Sequence, residues 1–201
     1  LDSFAVKRTR PVNVNGVYNI SSEISYSRPV RFLKGNIEVS SSIAFLKTKQ
    51  FINTAPNNIR TFSVGPSVRL DMSPTNKLDI TLGASFNRNR ATYSLQSSLN
   101  NTYLSQDYSA SVDWELPKRF SFNTDFTYSI NSQRSAGFNY KVPLWNAAIS
   151  KQMLKFNRGE LKLSAHDLLD KNIGISRSSN SNYIEDSRVL TLRRFFSLSF
   201  T

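Results

Sequence analysis

Apolar and polar residues alternate with a period of two along most of the chain, most regularly from Leu78 to Phe86. There Leu78, Ile80, Leu82, Ala84 and Phe86 share one parity, while Asp79, Thr81, Gly83 and Ser85 hold the other. Successive side chains of a β-strand point to opposite faces, so such a segment has one apolar wall and one polar wall. The pattern recurs in about nine segments bounded by turn signals, which predicts an all-β chain.

The first strand is expected near 16–32, with Tyr18, Ile20, Ile24, Tyr26 and Val30 on the apolar side. A turn at Lys34-Gly35-Asn36 leads to a second near 37–47, and a polar loop from Thr48 to Asn58 leads to a third carrying Phe62, Val64, Val68, Leu70 and Met72. Pro66 lies inside that third strand and predicts a bulge or local break in the ladder, because proline has no N–H to donate.

Leu78–Phe86 is the fourth strand, and a long Asn- and Ser-rich loop runs from it to about Gln106. The fifth turns Tyr108, Ala110, Val112, Trp114 and Leu116 to the apolar side, and the sixth Phe120, Phe122, Phe126, Tyr128 and Ile130. In the seventh, Phe138, Tyr140, Val142 and Leu144 switch parity near Pro143 to Trp145, Ala147 and Ile149, which predicts a β-bulge. Leu161, Leu163 and Ala165 mark the eighth, and Leu190, Leu192, Phe196, Leu198 and Phe200 the ninth.

Between these segments the turns near 33–36, 73–77, 117–119 and 154–159 are short, those near 48–58, 87–106 and 167–186 are longer, and that near 131–136 is intermediate. Short turns on one side and long loops on the other are the habit of outer-membrane barrels, whose turns are periplasmic and loops extracellular. With an odd strand count the two ends of the chain fall on opposite sides. A single-chain bacterial barrel has an even number, so residues 1–201 are expected to be the C-terminal part of a larger barrel, with no second domain. A count wrong by one would restore a small complete barrel.

The polar positions decide between lipid and water as the neighbour of the apolar wall. A soluble sandwich or lipocalin-like barrel carries Lys and Glu on its wet face, whereas this one is mostly Ser, Thr, Asn and Asp. Aromatics such as Tyr18, Phe45, Phe86, Tyr108, Trp114, Phe120, Tyr128 and Trp145 sit near strand ends, as in interfacial girdles. The residues expected against lipid are Leu78, Ile80, Leu82, Phe86, Val112, Trp114, Phe122, Phe126, Leu192 and Leu198.

Composition is compatible with that reading. The mean hydropathy of -0.38 reflects strands that are half polar. No run of about 18 apolar residues exists, which excludes a helical span. There is no cysteine, which removes disulfides and thiolate chemistry. The first residues, Leu1 to Arg8, carry no initiating Met and no apolar signal core, as expected of a mature or partial chain. A net charge of +12 suggests a nucleic-acid ligand, but the basic residues are scattered over loops and turns. Anionic lipid, including lipopolysaccharide phosphate, is the simpler counter-charge and no nucleic-acid partner is expected.

Little of the sequence points to catalysis. His166 is the only histidine, and with Ser164 and Asp167 it invites a hydrolase reading. In an ideal strand Ser164 and His166 share a face while Asp167 points away, so a lumen-lining imidazole is the simpler account. Asp79, Asp113, Glu115 and Asp125 share the inward parity with Arg69 and Arg193, an arrangement that pairs charges across strands or holds a plug. No metal spacing, phosphate loop or nucleophile elbow is present, so no enzyme activity and no cofactor are expected.

The stretch from Leu161 to Thr201 carries a more specific signal. Asp167-Leu168-Leu169-Asp170-Lys171-Asn172, Gly174-Ile175-Ser176-Arg177, Asn182-Tyr183-Ile184-Glu185-Asp186 and Arg194-Phe195-Phe196-Ser197-Leu198-Ser199-Phe200-Thr201 follow one another in order. Together with Trp145–Ser150 they resemble the C-terminal end of the TonB-dependent-receptor-like outer-membrane β-barrel proteins. Within that motif Asp167, Leu168, Leu169, Asn172, Tyr183, Arg194, Phe196 and Phe200 are the marker positions. The resemblance implies a transmembrane antiparallel meander, the last strands of a barrel of about 22 with a plug in its lumen.

It also implies a place in the bacterial outer membrane, in substrate uptake or as the barrel subunit of a larger assembly. The partners implied are outer-membrane lipid and lipopolysaccharide, the rest of the barrel and its plug, and other envelope proteins. Two other readings compete with it: a small complete barrel with a lipid-hydrolase or adhesin role, and a soluble basic β-domain that binds nucleic acid.

Overall fold

The structure is a computed structural model that describes residue 11 and residues 13–52, 54–132, 139–154, 158–179 and 184–201. Its strands are β1 (Tyr18–Val30), β2 (Gly35–Ile52), β3 (Ala55–Thr75), β4 (Leu78–Tyr93), β5 (Asn101–Leu116), β6 (Phe120–Ser132), β7 (Tyr140–Met153), β8 (Gly159–His166), β9 (Gly174–Ser179), β10 (Ile184–Val189) and β11 (Phe195–Phe200). Nine of them form one antiparallel sheet in the order β1-β2-β3-β4-β5-β6-β7-β8-β11, and β9 and β10 make a separate hairpin. The sheet is open: β1 and β11 are its edges.

Cross-strand register keeps one parity on one face throughout. Tyr26 lies opposite Val39, Val39 opposite Val68, and Val68 opposite Ala84. The row continues through Tyr108, Tyr128 and Pro143. Nearer the short turns a second row joins Leu78, Trp114, Phe122, Ile149, Leu163 and Leu198.

This apolar face is bare. Ile24 is 70% exposed, Trp114 46% and Leu198 69%. The buried side chains within the sheet, Asn57, Ile59, Tyr93, Asn131, Val142 and Ser150, all belong to the opposite parity. Crowding on the polar side alone is what curling the sheet with that side inward produces.

The turns at one end are tight. Arg31–Leu33 forms a 3-10 turn closed by Lys34 in the left-handed region (φ 48°), and Asn76-Lys77 joins β3 to β4. Pro117–Arg119 joins β5 to β6. Gly35 is required by its neighbour across the ladder: a Cβ there would stand 2.1 Å from the Asp71 carbonyl oxygen.

At the other end the strands outrun the sequence reading. Within the expected polar loop from Thr48 to Asn58, residues 48–52 pair instead with 55–59, Lys49 opposite Asn58 and Ile52 opposite Ala55. The expected loop from 87 to 106 is likewise mostly strand, leaving 94–100 as the connection, with a 3-10 turn at Ser97–Leu99. The β2–β3 hairpin therefore extends roughly 20 Å past Phe45.

Three further expectations are corrected in whole or in part. No bulge occurs in β7: pairing with β6 runs unbroken from Asn131–Tyr140 to Phe120–Lys151. Tyr140, Val142 and Leu144 thus lie on the polar face. At Pro66 the expected local break is present on the β4 side, where the ladder skips Gly65 and Pro66, but there is no bulge: Pro66 pairs with Ser41 and neither register shifts. The one register shift in that pair falls between Met72 and Thr75. Finally, the last strand begins at Phe195, so Leu190 and Leu192 precede it, and the β9–β10 hairpin occupies part of the loop expected at 167–186 and runs on to Val189. Phe138 and Tyr183 lie outside the described residues.

Candidate functional site

The polar wall is the first candidate. Asp71 accepts hydrogen bonds from Arg69 Nε at 2.8 Å and from Thr81 Oγ1 at 2.7 Å. Ser73 donates to Asp79, Asn123 to Asp113 and Ser129 to Asp107, at 2.5, 2.5 and 2.6 Å. Asn146 Nδ2 donates to Asp125 at 2.7 Å. Small hydroxyl and amide side chains thus serve carboxylates from the neighbouring strand, a lattice in which one cation, Arg69, is paired directly. Both members of that ion pair are about half exposed to solvent, so its net contribution to stability is small.

A second cluster lies where β7 and β8 leave the sheet and β11 enters it. Asp167 is buried and adopts the left-handed region (φ 50°). Its backbone N–H donates to Asn146 Oδ1, while its two carboxylate oxygens accept the N–H groups of Lys171 and Asn172, each at 2.9 Å. Leu168 N–H donates to the Trp145 carbonyl at 2.8 Å. Asp170 holds Arg193 at 2.9 Å, Asn172 Nδ2 donates to the Leu192 carbonyl, and Arg194 Nη1 donates to the Leu168 carbonyl. The result is a clasp joining the end of β8 to the start of β11.

Of the motif positions, the structure brings Asp167, Leu168, Asn172 and Arg194 together in this clasp. Leu169 is exposed beside it. Phe196 and Phe200 lie on the apolar face, opposite Ala165 and Leu161. Arg193, expected on the inward wall, belongs to the clasp. Asn146 and Asp170 are members that lay within the motif segments but were not among its marker positions; their partners are remote in the chain.

His166 stacks on Phe195 with ring centres 4.4 Å apart. The Asp167 carboxylate is taken up by backbone amides, so the aspartate–histidine arm of a hydrolase triad is not assembled there. Among the described residues no group of metal-ligating side chains forms a site.

Charge divides between the faces. Glu23, Glu38, Asp71, Asp79, Asp107, Asp113, Glu115, Asp125 and Glu160, the carboxylates of the main sheet, all take the polar parity. Arg28, Lys47, Lys49, Arg60, Arg88, Arg90, Lys141 and Lys151 take the apolar parity, towards the strand ends. Only Arg69 and Lys162 are cations of the polar face within the sheet.

Of the residues expected against lipid, Leu78, Ile80, Leu82, Phe86, Val112, Trp114, Phe122, Phe126 and Leu198 share the apolar face, and none is buried. Leu192 sits outside the sheet, before β11. The family model described as "Outer membrane protein beta-barrel family" matches residues 8–201. No curated protein and no solved structure matches the chain.

Proposed function

The chain belongs to the outer membrane protein beta-barrel family and is a protein of the bacterial outer membrane, and from that premise we propose that it is one wall of a larger, non-enzymatic barrel of the TonB-dependent-receptor-like type. Its apolar face meets lipid, with Leu82, Phe86, Trp114, Phe126 and Leu198 in the bilayer, and its polar face lines the lumen. The longer connections face outward from the cell. The role is substrate uptake, or the barrel subunit of a larger envelope assembly, with outer-membrane lipid, lipopolysaccharide, a plug and further strands as partners.

One observation carries this reading: β1 and β11, the two open edges, run in the same direction. Both start at the loop end, Tyr18 beside Lys47 and Phe195 beside His166. In a bilayer every backbone group needs a partner, so open edges must close. Closing these nine strands on themselves would join a parallel pair, whereas bacterial barrels of a single chain are even-numbered and antiparallel.

The chain has no cysteine, so the seam can be tested by cross-linking. Leu163→Cys with Leu198→Cys, directly opposite in the ladder, is the positive control. In the full-length protein Ile24→Cys with Leu198→Cys is expected to give no link within one chain. An efficient internal link would show that the nine strands close alone and would overturn the larger barrel.

A further inference from the structure

We propose that Lys47, Arg60, Arg88 and Arg90, on the apolar face of β2, β3 and β4, form a binding site for the phosphate groups of lipopolysaccharide. The proposal rests on reading that face as the lipid face, and it assigns a location to a partner so far expected only from net charge and the family resemblance.

Position is the first argument. On each of these strands a cation sits one same-face position beyond an aromatic of the apolar band: Lys47 beyond Phe45, Arg60 beyond Phe62 and Arg88 beyond Phe86, with Phe51 further out on β2. They therefore border the apolar band on its loop side, at headgroup height. Mid-strand positions of the same face carry no charge, so the cations are confined to the border.

Mutual repulsion is the second. Lys47 lies directly opposite Arg60 in the ladder, and like charges so placed are destabilising. Arg60 faces Thr92, which puts it diagonal to Arg90, whose own partner is Phe62. Arg88 is the same-face position just before Arg90 on β4, opposite Val64. No carboxylate of the main sheet stands on this face, so the sheet itself supplies these cations with no counter-charge. Lys47 also lies over the Tyr18 ring at 5.7 Å, which fixes it at the aromatic border.

Space is the third. Between the loop-side ends of β4 and β5 lies an open cavity of about 200 Å³, lined by Arg88, Arg90, Thr92, Asn100 and Thr102. Two guanidinium groups with hydroxyl and amide donors beside them suit phosphate oxygens, which accept two parallel N–H bonds from arginine. Phosphate on a lipid anchored in the adjoining leaflet reaches this site with its acyl chains lying along Val64, Val68 and Phe86.

The experiment uses the full-length protein in phosphatidylcholine vesicles with and without lipopolysaccharide, measuring lipopolysaccharide retained after detergent extraction. Removing the four charges (K47Q, R60Q, R88Q, R90Q) is expected to lower retention about tenfold or more, given the pull of each cation on an anionic surface. Removing Arg28 and Lys151, cations of the same face at the short-turn end, is expected to leave it unchanged. Dephosphorylated lipopolysaccharide should bind the native chain as weakly as the four-charge variant binds the native lipid.

Equal retention by the four-charge variant, or full binding of dephosphorylated lipid, overturns the site while leaving the barrel intact. Failure of the native chain to insert, read by protease digestion of the vesicles, overturns the membrane reading and the site together. If the fourfold variant alone fails to insert, R88Q and R90Q singly carry the test: each must lower retention, and no change in either overturns the proposal.

Discussion

At the scale of single residues, Asp167 is the side chain on which most local structure depends. Its carboxylate closes two backbone N–H groups that have no other partner in the turn. Asp167→Ala should lower stability by about 2 kcal/mol, since buried donors left unpaired cost roughly 1–3 kcal/mol. Asp167→Asn, which tolerates the left-handed backbone and keeps one acceptor, should lose less. Urea unfolding in detergent micelles measures both, and equal, negligible losses would remove the clasp from the account. His166→Ala should leave lipid hydrolysis by the purified protein at its background level, because His166 is held against Phe195 and lacks a carboxylate partner; a fall in hydrolysis would revive the enzyme reading.

At the scale of strands and hairpins, and on the proposed membrane reading, the alternation marks the part of a strand that touches lipid rather than the strand itself. Leu78–Phe86 was legible for that reason: its odd and even walls meet different solvents. Beyond Phe45 the alternation is interrupted by Lys47, Thr48, Lys49 and Gln50, so 48–58 reads as loop although 48–52 pairs with 55–59. The false bulge in β7 arose where Tyr140, Val142 and Leu144 lie near the loop end on the polar face, so their apolar character mimicked a change of parity. The β9–β10 hairpin, with six-residue strands rich in Ser, gave no periodic signal. Of the clasp, Asp167, Asn172 and Arg194 were legible through their place in the terminal motif. Asn146 was not, because its role is set by a contact 21 positions along the chain.

Face assignment within the elements is open to a direct comparison. Leu82→Arg, mid-strand on the apolar face, should cost about 2–4 kcal/mol in lipid, as charges do at the midplane of barrel walls. Ser111→Arg, on the polar face opposite Asp125, should be nearly neutral. The folded fraction on unheated gels after refolding into vesicles separates the two, and equal tolerance would reverse the faces.

At the scale of the whole molecule, the sheet is a curved wall with carboxylates on its concave side and, on its convex side, an apolar band edged by cations. Neither the absence of cysteine nor the mean hydropathy revealed this; only the register shows that charge sign and face go together. The same register has an arithmetic consequence. Because β1 and β11 point the same way, any all-antiparallel ring that includes them must add an odd number of strands, one, three, five or more. The two borders it must meet are unequal, thirteen residues along β1 and six along β11. In a ring so built at least one strand stands between Ile24 and Leu198, so neither border of the wall can seal the other and each must recognise a partner of its own.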